Sequence, residues 1–218
     1  MSNYFYDMLP REELEQLRYI ATVPEFMEWI SDKWADKSAL NDLNVRLTYR
    51  EMCSRVARRR TLLNSLGLSR GDKIAIWEKT SIDAVEMFLA ATSGGYVAIM
   101  LPVQLPPSAV AGCCVRFDAG VLAVRDEFST KLDGVQMPCK VVSSSSMSAT
   151  ESPVVYVDKD EPAAIFFTGG TTGAPKGAVL PHRALMRGAF NGCFAPGSQL
   201  GHHRMICFLP LSHVFGLI

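Results

Sequence analysis

The sequence predicts an α/β fold, a mostly parallel sheet with helices on both faces. Three observations lead there. Short apolar runs bounded by turn residues, at 73–77, 96–101, 121–124 and 163–167, read as strands buried on both faces. Longer segments with apolar residues at helical spacing lie between them, and such alternation goes with parallel pairing. A Gly/Thr-rich stretch, 168–177, follows directly on the last of these strands. That is the end at which open α/β sheets take ligands.

The elements follow in order. Residues 11–20 are helical in composition, and Pro24 suits the first turn of a second helix carrying Phe26, Met27, Ile30 and Trp34 at helical spacing. Thr48-Tyr49-Arg50-Glu51 is a capping box. It opens a helix with Met52, Val56, Leu62, Leu63 and Leu66 available for packing, closed by Gly67. Arg55, Arg58 and Arg59 lie together on that helix and read as a solvated face. Gly71-Asp72 turns into the strand 73–77, and Ser81 caps a helix over 82–92. A strand over 96–101, a helix over 108–117 and a strand over 121–124 follow, with a further strand within 136–142. Residues 143–152 are Ser-rich and low in complexity, which predicts a mobile loop. Residues 178–180 form a short apolar run ended by Pro181, and a strand over 205–209 is ended by Pro210.

Composition excludes several classes. A chain of 218 residues suits one large domain or two small ones and buries about 70% of its unfolded surface. Hydrophobic content of 48% against 20% charged residues is globular. The 22 basic and 22 acidic residues cancel, so nothing argues for a nucleic-acid partner. Six cysteines without a Cys-x-x-Cys pair suggest reduced thiols in a cytoplasmic protein, with no zinc site. The first ten residues lack the apolar core of a signal peptide. The apolar stretch 85–103 contains Glu86 and is cut by Ser93-Gly94-Gly95, a helix and a strand rather than a membrane span. No Gly-x-Ser-x-Gly or His-Glu-x-x-His occurs, so hydrolase chemistry has no anchor. His182 reads as a helix cap or surface group, and His202-His203 as part of a Gly-flanked loop.

The chemistry concentrates at Thr168-Gly169-Gly170-Thr171-Thr172-Gly173-Ala174-Pro175-Lys176-Gly177. Glycines let the backbone approach a ligand closely, and a run of free N–H groups makes a concave anion site. Thr hydroxyls add donors or reach a metal ion, and Lys176 adds a point charge suited to phosphate. The composition serves a polyphosphate. The spacing matches neither Gly-Lys-Ser/Thr of the nucleotide hydrolases nor Gly-x-Gly-x-x-Gly of the dinucleotide fold. It resembles the phosphate-binding signature of the adenylate-forming superfamily, which includes acyl-CoA synthetases, peptide-synthetase adenylation domains and beetle luciferases. Gly169 stands where Ser is commonest. Leu47-Thr48-Tyr49-Arg50-Glu51, Gly71-Asp72-Lys73-Ile74-Ala75 and the segment 90–101 are similar to further parts of that family, although Met100-Leu101 departs from its Val-Pro-Leu. Leu209-Pro210-Leu211-Ser212-His213-Val214-Phe215-Gly216 resembles its second specific segment.

The resemblance implies a function. A carboxylic acid attacks ATP to give acyl-AMP, and the acyl group then passes to a thiol, CoA or that of a carrier protein. Thr168, Gly169, Gly170, Thr171, Thr172, Gly173 and Lys176 would hold the phosphates, with Thr172 toward Mg2+ and Lys176 catalytic. His213, Phe215 and Gly216 would border the acid, with His213 near the carboxylate as a second catalytic residue. The family's adenine and ribose segments, main metal ligand and lid lysine have no match in the sequence. The expectation is therefore an incomplete amino-terminal adenylation domain without its C-terminal lid, inactive alone. Residues 48–168 would form a first lobe, and 1–47 with 178–218 an unfinished second lobe prone to self-association.

Overall fold

The computed structural model describes residues 10–168, 176–193, 206–207 and 209–212. Two helices open the described chain, α1 (Arg11–Tyr19) and α2 (Val23–Lys33), followed by the small antiparallel pair β1 (Ser38–Asn41) and β2 (Arg46–Thr48). Then come α3 (Tyr49–Ser65), β3 (Lys73–Trp77), α4 (Ile82–Ser93), β4 (Val97–Met100), α5 (Pro107–Arg116), β5 (Ala119–Val124) and the short α6 (Asp126–Ser129). The series continues with β6 (Lys140–Ser143), β7 (Pro162–Thr168), β8 (Lys176–Pro181) and α7 (His182–Cys193).

The main sheet has the order β6-β5-β3-β4-β7-β8. Its first five strands are mutually parallel, and β8 returns antiparallel along β7. Alternation along each strand feeds two cores. Ile74, Ile76, Ala98, Met100, Val121, Ala123, Ala164 and Phe166 face α2, α3 and α4. Ala75, Trp77, Ile99, Leu122, Val124 and Ile165 face α5 and α6. The predicted fold class is thus the one observed.

Local signals position the helices. The Thr48–Glu51 capping box forms at α3, and a second one, Thr22 with Glu25, starts α2. The Ser81 hydroxyl accepts from the Ala84 amide at α4, at 3.1 Å. Gly95 turns the chain out of α4 at φ 79°, in the left-handed region open to glycine.

Four expectations are corrected. The arginines of α3 are not a solvated face: Arg59 is wholly buried beside Glu86, also wholly buried, with Nε to Oε2 at 3.0 Å. Arg59 also pairs with Asp83, and Arg55 reaches Glu86 and Asp83. A charge count gives the sign of a face but not its partner, and Glu86 and Asp83 lie on the neighbouring helix α4. Residues 143–152 are not a loose loop. Arg58 Nε donates to the Ser148 carbonyl at 2.7 Å, Arg60 Nη2 to the Ser152 carbonyl at 2.6 Å, and Arg59 to the carbonyls of Ser144 and Ser146. The stretch offers few apolar side chains, so its own backbone carbonyls fix it along α3.

The predicted strand 205–209 does not form where it is described: Ile206, Cys207 and Leu209 lie outside any strand, and among the described residues the sheet order ends at β8. Without a ladder partner an apolar run does not become a strand. His182 is neither a cap accepting from its own helix nor a surface group. It is buried, and its Nδ1 accepts from the Val23 amide at 3.2 Å, tying the start of α7 to the start of α2.

Candidate functional site

The parallel strands set a common carboxyl edge. β7 delivers the backbone of Thr168 to that edge, and β8 leaves it from Lys176. The register pairs Thr168 with Lys176 and Phe167 with Gly177, so β7 and β8 form an antiparallel hairpin with Thr168 and Lys176 at its mouth. Lys176 stands exposed there. Gly169, Gly170, Thr171, Thr172 and Gly173 lie outside the described residues, as do His213, Phe215 and Gly216.

The base of the hairpin is packed tightly. A Cβ on Gly177 would stand 2.8 Å from the Phe117 ring and 2.8 Å from Ile165 Cγ2. Phe117, at the end of α5, meets Phe167 edge-on with ring centroids 5.5 Å apart. The last glycine of the stretch therefore serves packing beneath the loop. Gly177→Ala should destabilise the fold by about 1–3 kcal/mol through overpacking, read from chemical denaturation. Gly192→Ala is the comparison, because a Cβ there meets nothing within 4 Å. Equal effects of the two changes would remove the packing role.

The second sequence segment comes to the same edge. The Thr80 hydroxyl, just past the carboxyl end of β3, donates to the Leu209 carbonyl at 3.2 Å. Leu211 is buried in the core shared with α2, α3 and α4. β3 and β7 flank β4, so the strands that lead to the two anchors run about 10 Å apart across the sheet. Segments far apart in sequence are thus fixed on one rim.

A charged network continues along that rim. Glu78, Arg125 and Ser144 each follow the last residue of a parallel strand, β3, β5 and β6. Arg125 Nη1 donates to the buried Glu78 carboxylate at 3.0 Å, and the Ser144 hydroxyl donates to it too. Arg125 Nη2 and Lys79 Nζ donate to Glu127 at 3.0 and 2.8 Å. The hydrogen bonds from Arg125 and Lys79 hold the Glu127 carboxyl down at about 2. Arg125 Nε is buried without a partner. Sequence reading missed this network, because its members meet only through the order of the strands in the sheet.

A metal finds no cluster of three or more His, Cys, Asp or Glu among the described residues. Among these same residues, no helix is long and apolar enough to cross a membrane.

The sequence pattern of the AMP-binding enzymes matches residues 27–218. The chain belongs to that family. The 4-chlorobenzoate–CoA ligase of Arthrobacter sp is 28% identical over 209 residues, 89% of this chain and 40% of that protein. The nonribosomal peptide synthetase chyA of Penicillium rubens is 25% identical over 187 residues, 79% of this chain and 8% of that protein. Among solved structures, ATP-bound MatB from Rhodopseudomonas palustris superposes with a TM-score of 0.77 at 21% identity, over 90% of this chain and 42% of that one. This AMP-binding chain thus spans at most about 40% of the length of the curated relatives named here.

Proposed function

We propose that the whole protein activates a carboxylic acid with ATP and passes it to CoA, with a fatty or aryl acid as substrate. A carboxylate oxygen attacks the α-phosphorus, a P–O bond forms, and pyrophosphate leaves. The thiol sulfur of CoA then attacks the acyl carbon, AMP leaves, and the thiol proton goes to solvent. A carrier-protein thiol is the second acceptor, favoured by the likeness to a peptide synthetase.

The observation that carries the reading is the shared rim. The hairpin closed by Thr168 and Lys176 and the segment beginning at Leu209 are both anchored at the carboxyl edge of one sheet. In this reading the 168–173 backbone, the Thr171 and Thr172 hydroxyls and Lys176 bind the β- and γ-phosphates. They stabilise the charge that grows on the departing pyrophosphate. His213, Phe215 and Gly216 border the acid, with His213 toward its carboxylate. Magnesium would neutralise phosphate charge when bound, and Thr172 is the residue on this chain to hold it.

Lys176 tests the reading. A charge-assisted hydrogen bond is worth about 1.5–3 kcal/mol, roughly 10- to 150-fold. Lys176→Ala in the full-length protein should lower acid-dependent ATP–pyrophosphate exchange at least about 10-fold, near the low end of that range. Unchanged exchange would take Lys176 out of the mechanism.

A further inference from the structure

We infer that Cys114 and Cys139 form an oxidative modification site, a thiol pair that a peroxide converts to a disulfide joining α5 to the edge of the sheet. The fold brings them together from separate elements. α5 runs back over β5, and Asp118, with φ 54° in the left-handed region, turns the chain between them. β6 begins at Lys140, opposite Val121 of β5, so Cys139 leads into β6 near the start of β5. Cys114 sits about one helical turn above that end and is buried against the sheet. Both side chains join one apolar cluster with Val110, Leu122 and Leu132.

A buried cysteine is ordinarily a small apolar filler. Two features set this pair apart. Both thiols are free, and both pack into the one apolar cluster between α5 and the sheet. Cys139 is only half-buried, which gives a small oxidant a way in, whereas Cys114 is closed off.

Cys114 beside it holds the Cys139 thiol below its usual value, and Cys139 together with burial pushes Cys114 up. Cys139 is therefore the attacking sulfur, since the thiolate is the nucleophile. It attacks a peroxide oxygen, an S–O bond forms, the O–O bond breaks, and hydroxide leaves as water. Cys114 then attacks the sulfur of the Cys139 sulfenic acid, the S–S bond forms, the S–O bond breaks, and a second water leaves. Two thiols lose two electrons and two protons while one peroxide becomes two waters.

The test treats the reduced full chain with stoichiometric hydrogen peroxide and maps peptides without reductant. One linked pair joining Cys114 to Cys139 is expected, with a loss of about 2 Da in the intact mass, reversed by dithiothreitol. Cys139→Ser, at a half-buried position, should abolish that loss while keeping the native far-UV circular dichroism. Cys114→Ser should leave Cys139 as a sulfenic acid trapped by dimedone. Should Cys114→Ser fail to fold, the wild-type map and Cys139→Ser still decide. Natively folded wild-type protein without the 114–139 link, a link through Cys113 instead, or only intermolecular pairs through Cys207 would each overturn the inference.

Discussion

Glu86→Ala should lower the unfolding free energy by about 3–5 kcal/mol, the usual effect of stranding a buried charge. Glu86 and Arg59 have no solvent exposure, and Arg59 holds Glu86 through Nε at 3.0 Å and Nη2 at 2.8 Å. Removing the carboxylate leaves a buried guanidinium with Asp83, which is 30% exposed, as its remaining acidic partner. The loss is large against a typical domain stability of about 5–15 kcal/mol. Asp83→Asn should do less, because water already screens that group. Replacing both members, Arg59→Met with Glu86→Leu, should recover much of the loss, since well-packed apolar residues avoid the desolvation penalty. Urea unfolding of the four proteins measures this. A single-mutant loss below about 1 kcal/mol, the range of an exposed pair, would mean that the network is solvated.

Acid should weaken the fold through His182. Burial pushes its imidazole down to about 4, while Glu161 and Glu25 pull weakly the other way. The unfolded chain takes up this proton near pH 6.5, and the folded chain resists it until about pH 4. The unfolded state therefore binds more protons between those values, and stability falls as pH drops through that window. Above about 6.5 the contribution is complete. Its size is on the order of 3 kcal/mol. Protonation would also remove the Nδ1 lone pair that accepts from the Val23 amide, freeing the start of α2 from α7. His182→Asn keeps an acceptor for that amide without the titration. The difference in stability between wild type and His182→Asn should change between pH 6.5 and 4, whereas other carboxyl groups titrate in both and cancel. A constant difference across that window would sink the assignment.

Part of the site was legible before folding. From residue types alone the stretch 168–177 reads as a polyphosphate loop, and the structure pairs its described ends, Thr168 and Lys176, across β7 and β8. Gly177 was readable only as one more glycine. Its packing against Phe117, from a helix far earlier in the chain, assigns it another task. Glu78, Arg125 and Ser144 were invisible as a set, because their meeting depends on strand order, and β5, β3 and β6 are not ordered in the sheet as in the sequence. The Ser-rich stretch was misread for the same reason: its partners are the arginines of α3, brought alongside by the fold.

By itself the sequence determined the fold class, most element positions and the family. These rest on local physics: hydrophobic period, a capping box at Thr48 and an N-cap at Ser81, and a loop composition with few alternative uses. Tertiary structure alone decided which charges are buried, that His182 is a neutral acceptor, and that the Leu209 segment shares a rim with the 168–177 loop. Those outcomes depend on neighbours from distant elements, and the energy of a charge or a donor is set by what surrounds it rather than by its own identity.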